Sequence, residues 1–229
     1  ATAIIWLDEA TPAVREAALG VLRASLSSAG YEKSRNVMRL NGFLGDLVGA
    51  PIAIGEFCYQ FHLFGEPSPS EPWGWQLYGH HLCITCFIVG TQMTLTPTFM
   101  GAEPRYADKG PHAGVRLFDD EEHFGLALVR SLSAAQQRRV IIHPTTVPGG
   151  LPPGRHQGAD GLMLAASFKD NVVIPYEGIA GAELDALQRR HLLDLTECNL
   201  VTRAVTEFRH ARASYAACFP VRWQLPDER

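Results

Sequence analysis

The sequence has little of what marks membrane, nucleic-acid-binding or disulfide-rich proteins. It contains no run of about 18 uninterrupted apolar residues, so we expect no membrane-spanning helix and no membrane partner. Its formal net charge is only −4, and lysine and arginine are scattered, which argues against a nucleic-acid partner. The composition, 46% hydrophobic and 19% charged, predicts a soluble globular protein. We expect a cytoplasmic location first, although a secreted mature chain has the same composition.

Common catalytic and nucleotide-binding motifs are also absent. The sequence has no G-x-G-x-x-G, no phosphate loop, no G-x-S-x-G and no H-E-x-x-H. The five cysteines are an odd number spread along the chain, so they do not indicate a disulfide framework. Cys83 and Cys86 form a C-x-x-C inside an apolar run, but no second C-x-x-C completes a zinc site.

Helices are predicted towards both ends of the chain. Thr11 and Pro12 indicate a helix start, and the helical spacing of apolar residues continues to Gly30. Residues 31–49 are interrupted by two glycines, which predicts two short helices. Acidic residues at 119–120 open another helix, and a capping box at 133–136 opens the next. Residues 182–218 are expected to form one or two helices.

The middle of the chain is typical of an antiparallel sheet. Aromatic and β-branched residues dominate 56–65 and 73–89, and the "EPSPSEP" between them is a loop. Gly90-Thr91 fits a two-residue turn, with 92–99 as the returning strand, and 171–178 is a further short strand. We therefore predict an α+β fold in a single domain, residues 1–229, with an antiparallel sheet built around the 73–99 hairpin and helices flanking it.

The histidine doublet at the end of "WGWQLYGHH" is the main candidate for chemistry. If the Gly90-Thr91 turn sets the register, adjacent His80 and His81 point to opposite faces of the sheet. Glu103 then lies diagonal to His80, and a slip of one residue places it beside His81 instead. A carboxylate beside an imidazole fixes its tautomer and raises its basicity, as a general base or metal ligand requires. These three residues are the predicted catalytic and metal-binding residues.

Neighbouring residues are predicted to contact a substrate. Trp73, Trp75 and Tyr78 could line an apolar pocket, and Arg105 is the nearest cation able to bind a substrate carboxylate. The alternative for the two tryptophans is a core position, and a histidine at a strand end can equally be a hydrogen-bonded core residue. Both alternatives stay open at the level of the sequence.

The quoted motifs resemble a known family. "EPWGWQLYGHHLCI", "LTPTFMGAEP" and "VIPYEG" look like a bacterial and fungal family catalogued as domain of unknown function 3500, from about Leu22 to Leu195. His80, His81 and Glu103 match family motif positions, as do Thr98 and Gly101. Family members usually continue into a further β-rich segment with an H-x-H motif, so this chain looks like a short variant or a fragment. The resemblance implies no established reaction.

The leading hypothesis is therefore a metal-dependent enzyme that acts on a small organic molecule. Zinc or iron is the expected metal, since imidazole and carboxylate ligands suit both. A hydrolase would activate water, and an oxygenase-like enzyme would leave iron positions open for oxygen. The competing hypothesis is a non-catalytic binding module, in which Trp73, Trp75, Tyr78 and the loop at 148–161 form an aromatic pocket for a small molecule.

Overall fold

A computed structural model of the chain describes residues 2–145, 150–151 and 176–200, with side chains to residue 198. The described residues fall into two compact units. The first contains Thr2–Glu122 and Glu197–Leu200, and the second contains the described residues between His123 and Thr196. The prediction of a single domain stays a prediction, because compact units of one chain can belong to one domain.

Two helices open the first unit after a short strand, β1 (Thr2–Trp6). Helix α1 (Pro12–Ser25) begins as predicted, with the Thr11 side chain accepting from the Val14 amide. It ends before Gly30, however, because Ser27 caps a new helix, α2 (Ser28–Val48). The expected end of the first helix at Gly30 is therefore wrong.

Helix α2 is continuous, so the prediction of two short helices is wrong as well. Its two inner glycines serve tertiary packing. A Cβ on Gly45 would lie 1.8 Å from the Ile54 carbonyl oxygen, and one on Gly42 would lie 3.2 Å from the Glu56 amide nitrogen. The following loop therefore packs directly on the helix backbone, and this contact outweighs the low helix propensity of glycine.

Among the described residues the sheet has six strands, all paired antiparallel, in the order β1-β2-β3-β4-β5, with β6 beside β4. The chain therefore has the predicted α+β fold. The strands that follow β1 have these bounds: β2 (Tyr59–Phe64), β3 (Trp73–Gly79), β4 (Leu82–Val89), β5 (Gln92–Thr94) and β6 (Thr98–Met100).

The predicted turn at Gly90-Thr91 is confirmed, since Val89 pairs with Gln92. The returning strand is not continuous. Buried Leu95 and the cis Thr96-Pro97 peptide separate β5 from β6, and β6 pairs with β4 one residue out of the predicted register. Leu82 faces Met100 as a result, whereas the turn alone would place Phe99 opposite it.

A second tight turn changes the position of the histidine doublet. Gly79 pairs with Leu82, so His80 and His81 form the two-residue turn between β3 and β4 and do not lie within a strand. The prediction that they point to opposite sheet faces is therefore wrong. That prediction assumed that side chains alternate between the two faces as they do within a strand, but β3 ends at Gly79.

One face of the sheet forms the core of the first unit together with α1 and α2. Trp75 and Leu77 of β3 and Ile84 of β4 are fully buried in one cluster with residues of both helices. The Trp75 indole N–H donates to the Ser25 hydroxyl at the end of α1, at 3.2 Å. This packing holds β3 and β4, and hence the turn between them, against the helices.

The described part of the second unit consists mainly of helices. Helix α3 (Asp119–Ser131) leads into it, and α4 (Ala134–Val140) starts with the predicted capping box of Ser133 and Gln136. Helix α5 (Ala186–Leu200) agrees with the predicted helical region as far as the structure describes it. The strand expected at 171–178 lies almost entirely outside the described residues. No described helix is long and apolar enough to cross a membrane.

Candidate functional site

The turn between β3 and β4 presents two imidazoles side by side. The ring centroids of His80 and His81 are 3.8 Å apart, with an angle of 32° between the planes. His81 has φ of 60°, in the left-handed region, which costs a residue with a Cβ about 1–2 kcal/mol. Such conformations persist where surrounding contacts enforce them, and they concentrate at functional sites.

The buried side chain of Tyr59 packs against this turn. Its hydroxyl donates a hydrogen bond to the His80 carbonyl at 2.7 Å, and the residue is 1% exposed. Its ring lies against Gly79, where a Cβ would come within 2.3 Å of ring atom Cδ1. Burial, followed by the effect of Cys58, raises the pKa of Tyr59 far above its ordinary value. The phenol therefore remains protonated and a hydrogen-bond donor.

Asn41 of α2 fixes the tautomer of His80. The Asn41 side chain is buried, and its Nδ2 donates to the Gly55 carbonyl at 2.7 Å. Its Oδ1 lies 2.7 Å from His80 Nδ1. Since the amide oxygen can only accept, Nδ1 must carry the proton. The neutral ring then presents a lone pair on Nε2, and His80 as a residue is exposed.

His81 is held by the segment that follows β6. The Gly101 amide donates to the His81 carbonyl at 2.7 Å, and a Cβ on Gly101 would lie 3.5 Å from His81 Cδ2. Burial lowers the pKa of His81, the neighbouring His80 lowers it further, and Glu103 partly offsets both effects. Glu103 thus influences the pKa of His81, although the predicted strand register does not apply to a doublet that lies in a turn.

The residues predicted to contact a substrate differ widely in their solvent exposure and in their own contacts. Tyr78 is 53% exposed, directly before the turn, and Trp73 is half-buried with its indole N–H donating to the Ser68 carbonyl. Trp75 is 0% exposed, which makes it a core residue without surface for a substrate. Arg105 forms ion pairs with Asp119 and Glu122, so its guanidinium is already neutralised.

The described residues do not by themselves fit a metal ion. Nowhere among them do three histidine, cysteine, aspartate or glutamate side chains come together. At the turn, Nδ1 of His80 is occupied by Asn41, which leaves one ring nitrogen of that residue for a ligand. His112, another histidine of the first unit, contacts Glu56 at 3.5 Å instead. The expected site for zinc or iron at His80, His81 and Glu103 stays a prediction.

A cleft of about 410 Å³ lies elsewhere in the first unit, between the start of α2 and the segment that leads into α3. Its lining residues include none of the predicted site residues. Lys33, at 15% side-chain exposure, pairs there with Glu121 and lies 4.8 Å from the centre of the Phe118 ring. The histidine turn is thus a surface site and not the floor of this cleft.

Two residues that position the turn were not identified from the sequence. Asn41 had a signal, since it is a polar residue among the buried positions of α2 next to Leu40 and Phe43. A buried amide in an apolar helix face requires partners, and such residues often orient functional groups. Tyr59 gave no comparable signal, because an aromatic residue at a strand start is ordinary core.

Comparison with known proteins identifies the family of the chain and nothing further. No curated protein and no solved structure matches the chain. A family model matches residues 4–217, which confirms the resemblance inferred from the motifs. The chain therefore belongs to the family described as protein of unknown function (DUF3500).

Proposed function

We propose that this protein is an enzyme that acts on a small organic molecule, with His80 as its general base. The observation that supports the proposal best is the contact between Asn41 Oδ1 and His80 Nδ1, from which the tautomer of His80 is inferred. Asn41 accepts from Nδ1, so the basic Nε2 lone pair is always presented in the same direction. A positioned imidazole of this kind accelerates proton transfer by about 10² to 10⁴-fold.

His81 and Glu103 would assist this base. Because the pKa of His81 is lowered, its ring is neutral at pH 7 and remains neutral when His80 takes up a proton. A neutral imidazole stacked at 3.8 Å can donate or accept one hydrogen bond to the reacting group. Glu103, which raises the pKa of His81, would favour any positive charge that reaches that second ring.

The chemistry within reach is removal of a proton from water or from a substrate hydroxyl. His80 Nε2 would take the proton, the resulting oxygen nucleophile would attack an electrophilic carbon, and the imidazolium would return the proton to the leaving group. Tyr78 remains the proposed substrate contact, whereas Trp73 lies at the other end of β3 and on the opposite face of the sheet. Arg105 would have to give up an ion pair to bind a carboxylate. No step in this scheme passes through a metal ion.

The proposal is tested in two stages. Nitrogen-15 NMR of the imidazoles reports which ring nitrogen carries the proton, and we expect Nδ1–H for His80. Hydrolysis of p-nitrophenyl acetate and a panel of related small esters then provides a rate. We expect His80→Gln to lower that rate about 100-fold or more. His62→Gln is the matched control, because that histidine lies within β2 and its ring bonds to Gln60.

Two results would overturn the proposal. One is an Nε2–H tautomer at His80 in the wild-type protein. The other is an esterase rate that is the same in the wild type, in His80→Gln and in the His62 control. Saturable binding of a small aromatic ester without turnover would favour the non-catalytic binding module instead.

A further inference from the structure

The sheet face that points away from α1 and α2 carries a set of exposed aromatic side chains. We call this surface the outer face. Pairing across the strands shows which residues it contains, since directly opposed residues and every second residue along a strand share a face. The outer face consists of Thr2, Ile4, Trp6, Gln60, His62, Phe64, Gly74, Gln76, Tyr78, Cys83, Thr85, Phe87, Val89, Gln92, Thr94 and Phe99.

The aromatic residues of the outer face are unusually open to solvent. Phe99 is 55% exposed, Tyr78 and Phe87 are each 53% exposed, Trp6 is 49% exposed and Phe64 is 39% exposed. Large apolar side chains gathered on one surface of a folded protein mark a binding site more often than scattered ones do. The question is therefore which partner this surface fits.

The charge of the outer face restricts the partner. None of its residues is an aspartate, glutamate, lysine or arginine, although such residues make up 19% of the chain. Its polar groups are amides, hydroxyls, one imidazole, one indole N–H and one thiol, and Gln76 Nε2 donates to the Thr85 hydroxyl at 2.9 Å. A surface of this composition offers hydrogen bonds without ionic contacts, so it complements an uncharged partner that is rich in hydroxyl groups.

The aromatic rings are also arranged in a row with a regular spacing. Trp6, Gln60, Tyr78, Cys83 and Phe99 lie opposite one another on successive strands. Every second strand of the row thus carries an aromatic ring, and two strand spacings amount to about 10 Å. This spacing is close to the disaccharide repeat of an extended β-1,4-linked glycan.

A polar row runs beside this aromatic row, one pleat further along the strands. It contains His62, Gln76 and Thr85, and the exposed side chain of Ile4 lies opposite His62 at its β1 end. Beyond this row lie the exposed rings of Phe64 and Phe87 on either side of Gly74. A protein partner would be expected to meet a continuous apolar centre. Here the centre of the surface is polar and the rings flank it.

We propose that the outer face binds a neutral, extended polysaccharide chain that lies across the strands. Alternate sugars would place their apolar C–H faces on Trp6, Tyr78 and Phe99, and their hydroxyl groups would reach His62 and Gln76. Strand twist turns successive rings of the row by roughly 45° relative to each other. The surface therefore fits a free chain, which can twist with the rings. This inference does not depend on the enzymatic proposal.

Affinity electrophoresis of the full chain tests the proposal directly. The probes are mixed-linkage β-glucan, xyloglucan and galactomannan, each cast into a native gel. We expect the wild type to be retarded by at least one of them. Trp6→Ala and Tyr78→Ala should each weaken binding about tenfold, and Tyr78→Phe should retain it because the ring remains. Tyr176→Ala is the matched control, since that tyrosine is 95% exposed and lies outside the outer face.

Three outcomes would overturn the proposal. The first is that none of the three polysaccharides retards the wild type. The second is that Trp6→Ala and Tyr78→Ala migrate like the Tyr176→Ala control in every gel. The third is a homodimer in light scattering that Tyr78→Ala dissociates, because the outer face would then be the contact between two copies. Circular dichroism of each variant confirms that the sheet is retained.

Discussion

Substitution of Gly79 by alanine is the most direct test of how the histidine turn is held. The new Cβ would lie 2.3 Å from Cδ1, 2.7 Å from Cε1 and 2.9 Å from Cγ of Tyr59. That ring cannot move away freely, because it is buried in the core and its hydroxyl is bound to the His80 carbonyl. Either the ring or the β3 backbone has to shift.

The expected cost combines two contributions. Overpacking of a well-filled core typically costs about 1–3 kcal/mol. Loss of the Tyr59 hydrogen bond adds about 1 kcal/mol. We therefore expect Gly79→Ala to lower the free energy of unfolding by roughly 2–4 kcal/mol in urea denaturation.

Gly20→Ala is the matched control for this experiment. Gly20 lies inside α1, and a Cβ there would meet nothing within 4 Å. The same chemical change should raise stability by about 0.5–1 kcal/mol, because alanine is the better helix former. If Gly79→Ala proved as stable as the wild type, the close packing of Tyr59 against the turn would be refuted.

Three further substitutions test the surroundings of the turn. Asn41→Ala should lower the free energy of unfolding by about 1–3 kcal/mol, and imidazole NMR should show a mixture of His80 tautomers. In the folded protein the pKa of His81 lies below its ordinary value of 6.5, so the unfolded chain binds more protons than the folded one as the pH decreases. The free energy of unfolding therefore falls below about pH 6.5. His81→Asn, which tolerates a positive φ, should flatten that part of a stability curve measured against pH. Ser25→Ala leaves the Trp75 N–H unpaired and should lower the melting temperature, at a cost of about 1–3 kcal/mol.

The sequence correctly predicted the turns and helix caps that depend only on residues close together along the chain. The Gly90-Thr91 turn, the Thr11 cap and the Ser133–Gln136 capping box all depend on residues within four positions of one another. The continuity of α2 could not be predicted in this way, because Gly45 is needed for the close approach of Ile54. Contact with a neighbouring loop decided the outcome there, and helix propensity did not.

The alternation of apolar residues in the sequence indicates a turn at His80 and His81, although the doublet itself contains neither glycine nor proline. The buried apolar side chains of β3 stand at odd positions, Trp75 and Leu77, whereas those of β4 stand at even positions, among them Leu82 and Ile84. A single strand keeps one parity, so the change requires a turn between them. A strand covering residues 73–89 would also exceed the usual length of about 3–10 residues. The one-residue shift at β6 has no such signal, because it depends on how the Leu95 segment packs.

The local connectivity of the central strands has a consequence for the order of assembly. Two-residue turns join β3 to β4 and β4 to β5, so these three strands can pair before distant parts of the chain meet. Strand β1 pairs with β2 only after both intervening helices have folded back, which makes its docking entropically more demanding. The imidazole pair thus sits on the segment of the sheet that can form early, and fraying of the N-terminal edge strand would leave that pair in place.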